Sequence, residues 1–320
     1  MAEQKFYTPL KVGLLVVVSS YFLFTLHAMF TLSWIGEWDR MGGGSFGTMI
    51  LVEDISATIG LIFRFAASII AFAAMIVYLV KKDLAKAAVY KVVRWVLVFE
   101  GIYWLGLIAT AGYSVQSFGQ MLVRSQSLSS VLNSLLVSVI PTVVESVILP
   151  ITLFVLAFKL NPNKPLKSGI KWASITGTMY IVVFWLVNMS IWLGVVRQKG
   201  TEYLTAHPEH LLSYILTVFG LLALVIYSAY FTKTSSRTET LQDLKLKTIG
   251  GITLALGLYF LWNYLSWVIL AGDTWNNWYA WFLGHNMDLW MLSLPLVALP
   301  LLVYNKSAKQ KSETLNDGNT

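Results

Sequence analysis

The sequence contains no cysteine and only four histidines among its 320 residues. The absence of cysteine excludes disulfide bonds, thiolate metal sites, covalently attached c-type haem and cysteine nucleophiles. Charged residues are also scarce, at 12%, whereas soluble domains usually carry about a quarter. The sequence lacks the His-Glu-x-x-His helix of zinc proteases and any recognisable serine-nucleophile arrangement. No catalytic class is therefore indicated by a motif, and the hydrophobic pattern becomes the main source of information.

Hydrophobic residues make up 57% of the chain, and the mean hydropathy is +0.67. A stretch of about 20 apolar residues is long enough to cross a bilayer core of about 30 Å. The pattern predicts an all-α polytopic membrane protein in which residues 1–304 form one domain of eight transmembrane helices, as four tandem hairpins. The polar residues 305–320 are predicted to be a disordered cytoplasmic tail. The predicted spans are residues 12–34, 56–80, 92–112, 131–158, 172–196, 211–232, 248–271 and 286–304.

The net charge of +7 is distributed unevenly along the chain. Twelve basic residues lie in three of the loops between spans and five more lie in the terminal segments, against four in the remaining loops. Because loops rich in lysine and arginine stay in the cytoplasm, both termini are predicted to be cytoplasmic and the protein to lie in the cell membrane. Orientation in the bilayer explains the excess of basic residues. The lipid bilayer is the predicted partner, and nucleic acid is not expected to bind.

Three spans carry a polar residue that is followed four positions later by tryptophan, and the first span has a looser version around His27. Counted from the nearest lysine at the inner ends of their spans, His27, Asn188 and Asn263 lie 16, 17 and 16 residues away. At 1.5 Å per residue, each lies on the order of 25 Å above the inner face. A polar layer in the outer third of the bilayer is predicted, with tryptophans recurring there because they favour the interface. The pairs are Glu100 with Trp104, Asn188 with Trp192, and Asn263 with Trp267.

Charged residues inside spans are costly, at about 2.5–3.5 kcal/mol each near the bilayer centre. Arg64 shares a helical stripe with Gly60 and Ala67, and small residues of this kind mark faces that pack against neighbouring helices. Arg64 is therefore predicted to face the bundle interior and to pair with Glu100 or Glu145. The predicted ligand-binding layer comprises Arg64, Glu100, Glu145, Asn188, Asn263, Asp288 and His27.

All four histidines fall towards the predicted outer side. His207 and His210 precede span six and His285 opens span eight, so these three are candidate ligands for a metal ion or haem b. A carboxylate such as Glu209 or Asp288 would complete a metal site. The placement of His210 and His285 resembles the haem A synthase family, which implies eight spans and haem-ligating histidines. The His-Arg pairs of that family are absent, and spans two and four contain no histidine.

These patterns favour a protein that binds a small molecule or ion in an outward-facing polar cavity, in transport or sensing. One alternative is a membrane redox protein that holds haem b or a metal through the outer histidines. A second alternative is a non-catalytic subunit of a membrane complex with a protein partner. A likeness between residues 207–211 (HPEHL) and 285–289 (HNMDL) is typical of internal duplication, although recurring interfacial tryptophans have an ordinary explanation.

Overall fold

A computed structural model of the chain describes residues 2–30, 45–80, 86–124, 127–160, 166–235, 246–266, 291 and 293–303. Within these ranges the chain is all-helical, which confirms the predicted class. The α-helices are α1 (Ala2–Phe30), α2 (Ser45–Val80), α3 (Lys86–Leu105), α4 (Ile108–Val123), α5 (Leu128–Ser134), α6 (Ile140–Val143), α7 (Leu149–Lys159), α8 (Leu166–Lys199), α9 (Thr201–Ala206), α10 (Pro208–Ile215), α11 (Leu222–Ser235), α12 (Leu246–Leu265) and α13 (Leu294–Val303).

Six helical stretches are long and apolar enough to cross a membrane, and they overlap the first six predicted spans. This result indicates a multi-pass membrane protein. In the third stretch, helix continues past the predicted end at residue 112, because α4 follows α3 after a turn at Gly106 and Leu107. Helix α12 and the shorter apolar helix α13 overlap predicted spans seven and eight but are not among the six, so within the described residues eight spans are not confirmed. The predicted tail at 305–320 lies outside the described residues. The six stretches are Thr8–Leu26, Ile55–Val80, Ala87–Val123, Ser130–Lys159, Lys167–Arg197 and Pro208–Ser235.

Most of the long helices pack against the next long helix in the chain, although α11 and α12 touch less than the other pairs, and α13 packs against α1. Glycine permits the closest approaches. A Cβ atom at Gly60 would lie 2.8 Å from the backbone oxygen of Tyr103, and one at Gly13 would lie 2.5 Å from that of Leu296. The stripe that contains Gly60 and Ala67 therefore does face a neighbouring helix, as its small residues predict.

Helix α8 separates two apolar cores. On one side Val183 packs with Trp104, Leu149 and Leu153. On the other side Phe184 and Trp185 pack against a cluster formed by Leu221, Tyr259, Phe260 and Met291. Helix α8 therefore packs against helices from both halves of the chain, and its Trp192 ring contacts His210 of the site described below.

Two of the membrane-spanning stretches contain π-helical turns, in which the backbone bonds from i to i+5. They cover Leu135–Val139, Val144–Ile148 and Leu216–Leu221. The first two lie next to α6 and α7, each of which has a proline at its start, and proline removes a backbone donor from the regular ladder. The third follows α10 directly, and no proline lies within it.

Candidate functional site

The chain reverses direction after α8 and places two histidines and a glutamate together. Gly200 adopts φ +76°, a conformation that side chains other than glycine rarely adopt, and leads into the short helix α9. His207 then lies between α9 and α10 with an extended backbone, and Pro208 begins α10, where its missing N–H is not needed. The sequence His207-Pro-Glu-His210 thus forms the first turn of the sixth spanning stretch.

His207, Glu209 and His210 offer ligand atoms that all lie within 4.8 Å of one another. His207 Nδ1 lies 3.2 Å from Glu209 Oε1, and the His207 side chain is 45% exposed. His210, in contrast, is only 4% exposed. We call these three residues the histidine cluster. Imidazole and carboxylate are the ligands that zinc and related transition metals accept, so the cluster has the chemistry of a metal site.

Aromatic rings hold His210 in position. The Tyr203 ring stacks on it with centroids 5.6 Å apart, and the Trp192 ring lies 5.9 Å away on α8. Lys199 Nζ lies 4.2 Å from the centre of the Tyr203 ring. Since Tyr203 comes from α9 and Trp192 from α8, three helical elements fix one imidazole. A buried ring fixed in this way loses little rotamer entropy on binding an ion.

Arg64 and Glu100 form an ion pair between α2 and α3, the first of the two pairings that the sequence predicts. Arg64 Nε lies 3.5 Å from Glu100 Oε1, and their side chains are 6% and 11% exposed. The Tyr21 hydroxyl donates a hydrogen bond to the same carboxylate oxygen. The guanidinium carbon lies 4.3 Å from the centre of the Tyr103 ring, a cation–π distance. These contacts neutralise the arginine and give it a helix-joining role.

The two asparagines of the predicted layer differ. Asn188 Nδ2 donates to the Phe184 backbone oxygen one turn earlier at 2.8 Å, which satisfies a polar group within its own helix. Asn263 is 3% exposed, and its Oδ1 has no hydrogen-bonding partner among the described residues. Among the described residues, the two asparagines therefore differ in how their polar atoms are satisfied.

Trp104 and Trp192 are packed inside the bundle and do not face lipid. They are 5% and 3% exposed. Trp104 Nε1 donates to the Tyr180 hydroxyl at 3.2 Å, and Trp192 packs on His210. Residues four apart share a helix face, so the face that buries Glu100 also buries the tryptophan that follows it. Trp267 lies outside the described residues.

Of the remaining predicted site residues, only Glu145 has its side chain in the described part of the structure. Glu145 is half-buried in the π-helical turn Val144–Ile148. His27 lies within α1, but its side chain is outside the described part of the structure. Asp288 and His285 also lie outside the described residues, so the pairing of His285 with His210 stays a prediction.

Three residues beside the ion pair or the histidine cluster were not predicted from the sequence: Tyr21, Tyr203 and Lys199. Tyr21 lies in an apolar stretch, where a tyrosine is expected to be an ordinary core residue. The sequence does contain a signal for Tyr203. This aromatic residue lies four positions before His207 and seven positions before His210.

Comparison with known proteins gives no assignment. No family model, curated protein or solved structure matches this chain. The resemblance to haem A synthases therefore receives no support from these comparisons.

Proposed function

We propose that this chain is an eight-span membrane protein that binds a divalent transition-metal ion at its outer side, in transport or sensing. The observation that carries the proposal is the histidine cluster, whose three ligand atoms lie within 4.8 Å of one another. Two imidazoles and one carboxylate are a ligand set that suits Zn²⁺.

The proposed topology has both termini in the cytoplasm. It is supported by the uneven distribution of basic residues and by α12 and α13, which overlap the last two predicted spans. In this orientation the end of α8, the short α9 and the start of α10 face outwards, and so does the histidine cluster.

Binding of an exchangeable ion fits the exposure of the cluster better than a closed structural site does. Structural zinc sites usually have four protein ligands, whereas sites with three leave a position for water or another ligand. The half-exposed His207 gives the ion a route from solvent, while the buried His210 supplies a fixed ligand.

The test is metal binding by the full-length protein purified in detergent. We expect one Zn²⁺ per chain by calorimetry, and Co²⁺ substitution should produce visible absorption bands. His207→Ala should weaken binding by more than about tenfold, since even an outer hydrogen-bonding partner of a metal ligand contributes that much. Binding should also weaken as the pH falls, because protonated imidazole cannot be a ligand.

Glu202→Gln is the matched control, since Glu202 is an exposed carboxylate in α9 outside the cluster. Equal affinities for the wild type, His207→Ala and Glu202→Gln would refute a site at these residues. The haem alternative predicts instead a Soret band that disappears in His210→Ala and His285→Ala. The assembly-subunit alternative predicts neither metal nor haem binding.

A further inference from the structure

Helix α3 presents two basic side chains and a tryptophan on one outward-facing surface near its first residue. Lys91, Arg94 and Trp95 lie three and four positions apart, so they share one face of the helix. All three are exposed, Trp95 at 49%. Among the described residues, no ion pair involves Lys91 or Arg94. We call these three residues the α3 basic face, and the described part of the chain leaves its charge without a counter-charge.

The neighbouring helix shows how deep in the membrane this face lies. Helices α2 and α3 run antiparallel, and Gly60 lies against Tyr103. Arg94 is nine residues before Tyr103 and Ile69 is nine residues after Gly60, so these two lie at one level. Ile69 is 43% exposed, and Val77, about 12 Å farther along α2 by helical rise, is 42% exposed. Both belong to the second spanning stretch, so the apolar surface of the bundle extends past the level of Arg94.

A charge on this surface must reach the head-group region or meet an anion, because facing hydrocarbon is unfavourable for it. Side chains of an α-helix lean towards its N-terminus, and α3 begins at Lys86. Lys91 and Arg94 therefore lean towards the end of the bundle where α3 begins, which is the proposed cytoplasmic end. The long apolar stems of such residues let their charged groups reach the interface. Tryptophan favours the same level, and the Trp95 ring packs on Phe99 with centroids 5.6 Å apart.

We infer that the α3 basic face binds the phosphodiester head group of an anionic phospholipid from the cytoplasmic leaflet. Guanidinium binds phosphate through two parallel hydrogen bonds, and the ammonium of Lys91 adds a second positive charge. The indole N–H of Trp95 is a donor for an ester oxygen of the same lipid. Basic sites on the cytoplasmic side of membrane proteins recognise such head groups.

A carboxylate on a partner's transmembrane helix is the other possible source of negative charge. The exposed indole and the lean of both cations towards the interface favour a head group instead. The inference does not depend on the metal site, since no residue of the histidine cluster lies on α3. Only the choice of leaflet depends on the proposed orientation.

The test is native mass spectrometry of the full-length protein, delipidated in a neutral detergent. Phosphatidylglycerol and phosphatidylcholine with identical acyl chains are added separately, and we expect the protein to retain phosphatidylglycerol preferentially. Arg94→Gln and Lys91→Gln should each weaken its binding roughly fivefold, the effect of one basic residue near an anionic membrane surface. Arg94→Lys should lose less than Arg94→Gln, because it keeps the charge.

Lys171→Gln is the matched control, since Lys171 is an exposed lysine near the start of α8 and at the same end of the bundle. It should leave the binding of phosphatidylglycerol unchanged. Arg94 has no ion pair to lose among the described residues, so its variants should stay folded, and melting temperatures in the delipidated state establish this.

Two results would overturn the inference. Retention of neither lipid, or equal retention of both, by the folded wild type would mean that these cations do not recognise a phosphate head group and would direct attention to an acidic partner helix. Equal weakening by Lys171→Gln and Arg94→Gln would mean that the overall positive charge attracts the lipid, without a site on α3.

Discussion

At the scale of single residues, the most consequential feature is the buried charge of Arg64. Its carboxylate partner, Glu100, lies 3.5 Å away, and Tyr21 and Tyr103 enclose the pair. A paired ion of this kind contributes little net stability, because desolvation offsets the attraction. Removing one partner is different, since it leaves an uncompensated charge in a low-dielectric environment.

Arg64→Leu and Glu100→Gln should therefore each lower the melting temperature in detergent, with a cost of about 3–5 kcal/mol when one member of a buried pair is removed. The double variant Arg64→Leu/Glu100→Leu should recover much of the loss, since neither charge remains. Arg94→Leu removes an exposed arginine from α3 and should change little. An unchanged melting temperature for Arg64→Leu would contradict the pairing.

At the scale of helical elements, close packing of α2 and α3 depends on glycine. A Cβ atom at Gly60 would meet the Tyr103 backbone oxygen at 2.8 Å, and one at Gly106 would meet the Ser56 backbone oxygen at 2.6 Å. Backbone atoms cannot move aside as a flexible side chain can. The two helices must therefore separate if either glycine gains a side chain.

Gly60→Ala should destabilise the protein by about 1–3 kcal/mol, the usual cost of overpacking. Gly177→Ala on α8 is the control, since a Cβ atom there meets nothing within 4 Å. Because alanine favours helix over glycine by about 1 kcal/mol, this control should be neutral or stabilising. Thermal unfolding of both variants in one detergent is the measurement, and equal shifts of the same sign would exclude close packing as the cause.

At the scale of the whole molecule, the orientation of the bundle decides whether the histidine cluster can meet extracellular ions. The native chain has no cysteine, so a single introduced thiol reports its own position. Glu202 in α9 and Lys167 in α8 are both exposed and lie near opposite ends of α8.

In intact cells, a membrane-impermeant maleimide should label Glu202→Cys and leave Lys167→Cys unlabelled until the membrane is permeabilised. This result is expected because Lys167, at the start of α8, belongs to the basic connection between predicted spans four and five, which should be cytoplasmic. The reverse pattern would show an inverted orientation, and labelling of both sites without permeabilisation would show that α8 does not span the membrane.

Much of this architecture follows from sequence patterns. Apolar stretch length predicts the first six spans, and the small residues beside Arg64 predict its inward face. The burial of Trp104 was not predicted, because a tryptophan near a span end fits an interface and a core equally well until its neighbours are known. Tyr21 likewise gains its role only from tertiary packing, because Glu100, which accepts its hydrogen bond, lies 79 positions away in the chain.

The π-helical turn Leu216–Leu221 has a genetic consequence. Such a turn holds one residue more than an α-helical turn, and the faces before and after it keep their directions. A single-codon deletion within residues 216–221 can be absorbed by conversion to a regular α-helical turn. The same deletion within α8 would turn everything beyond it by about 100°, because an α-helix has 3.6 residues per turn. Natural variation in the length of this chain should therefore be tolerated within Leu216–Leu221 and selected against in α8.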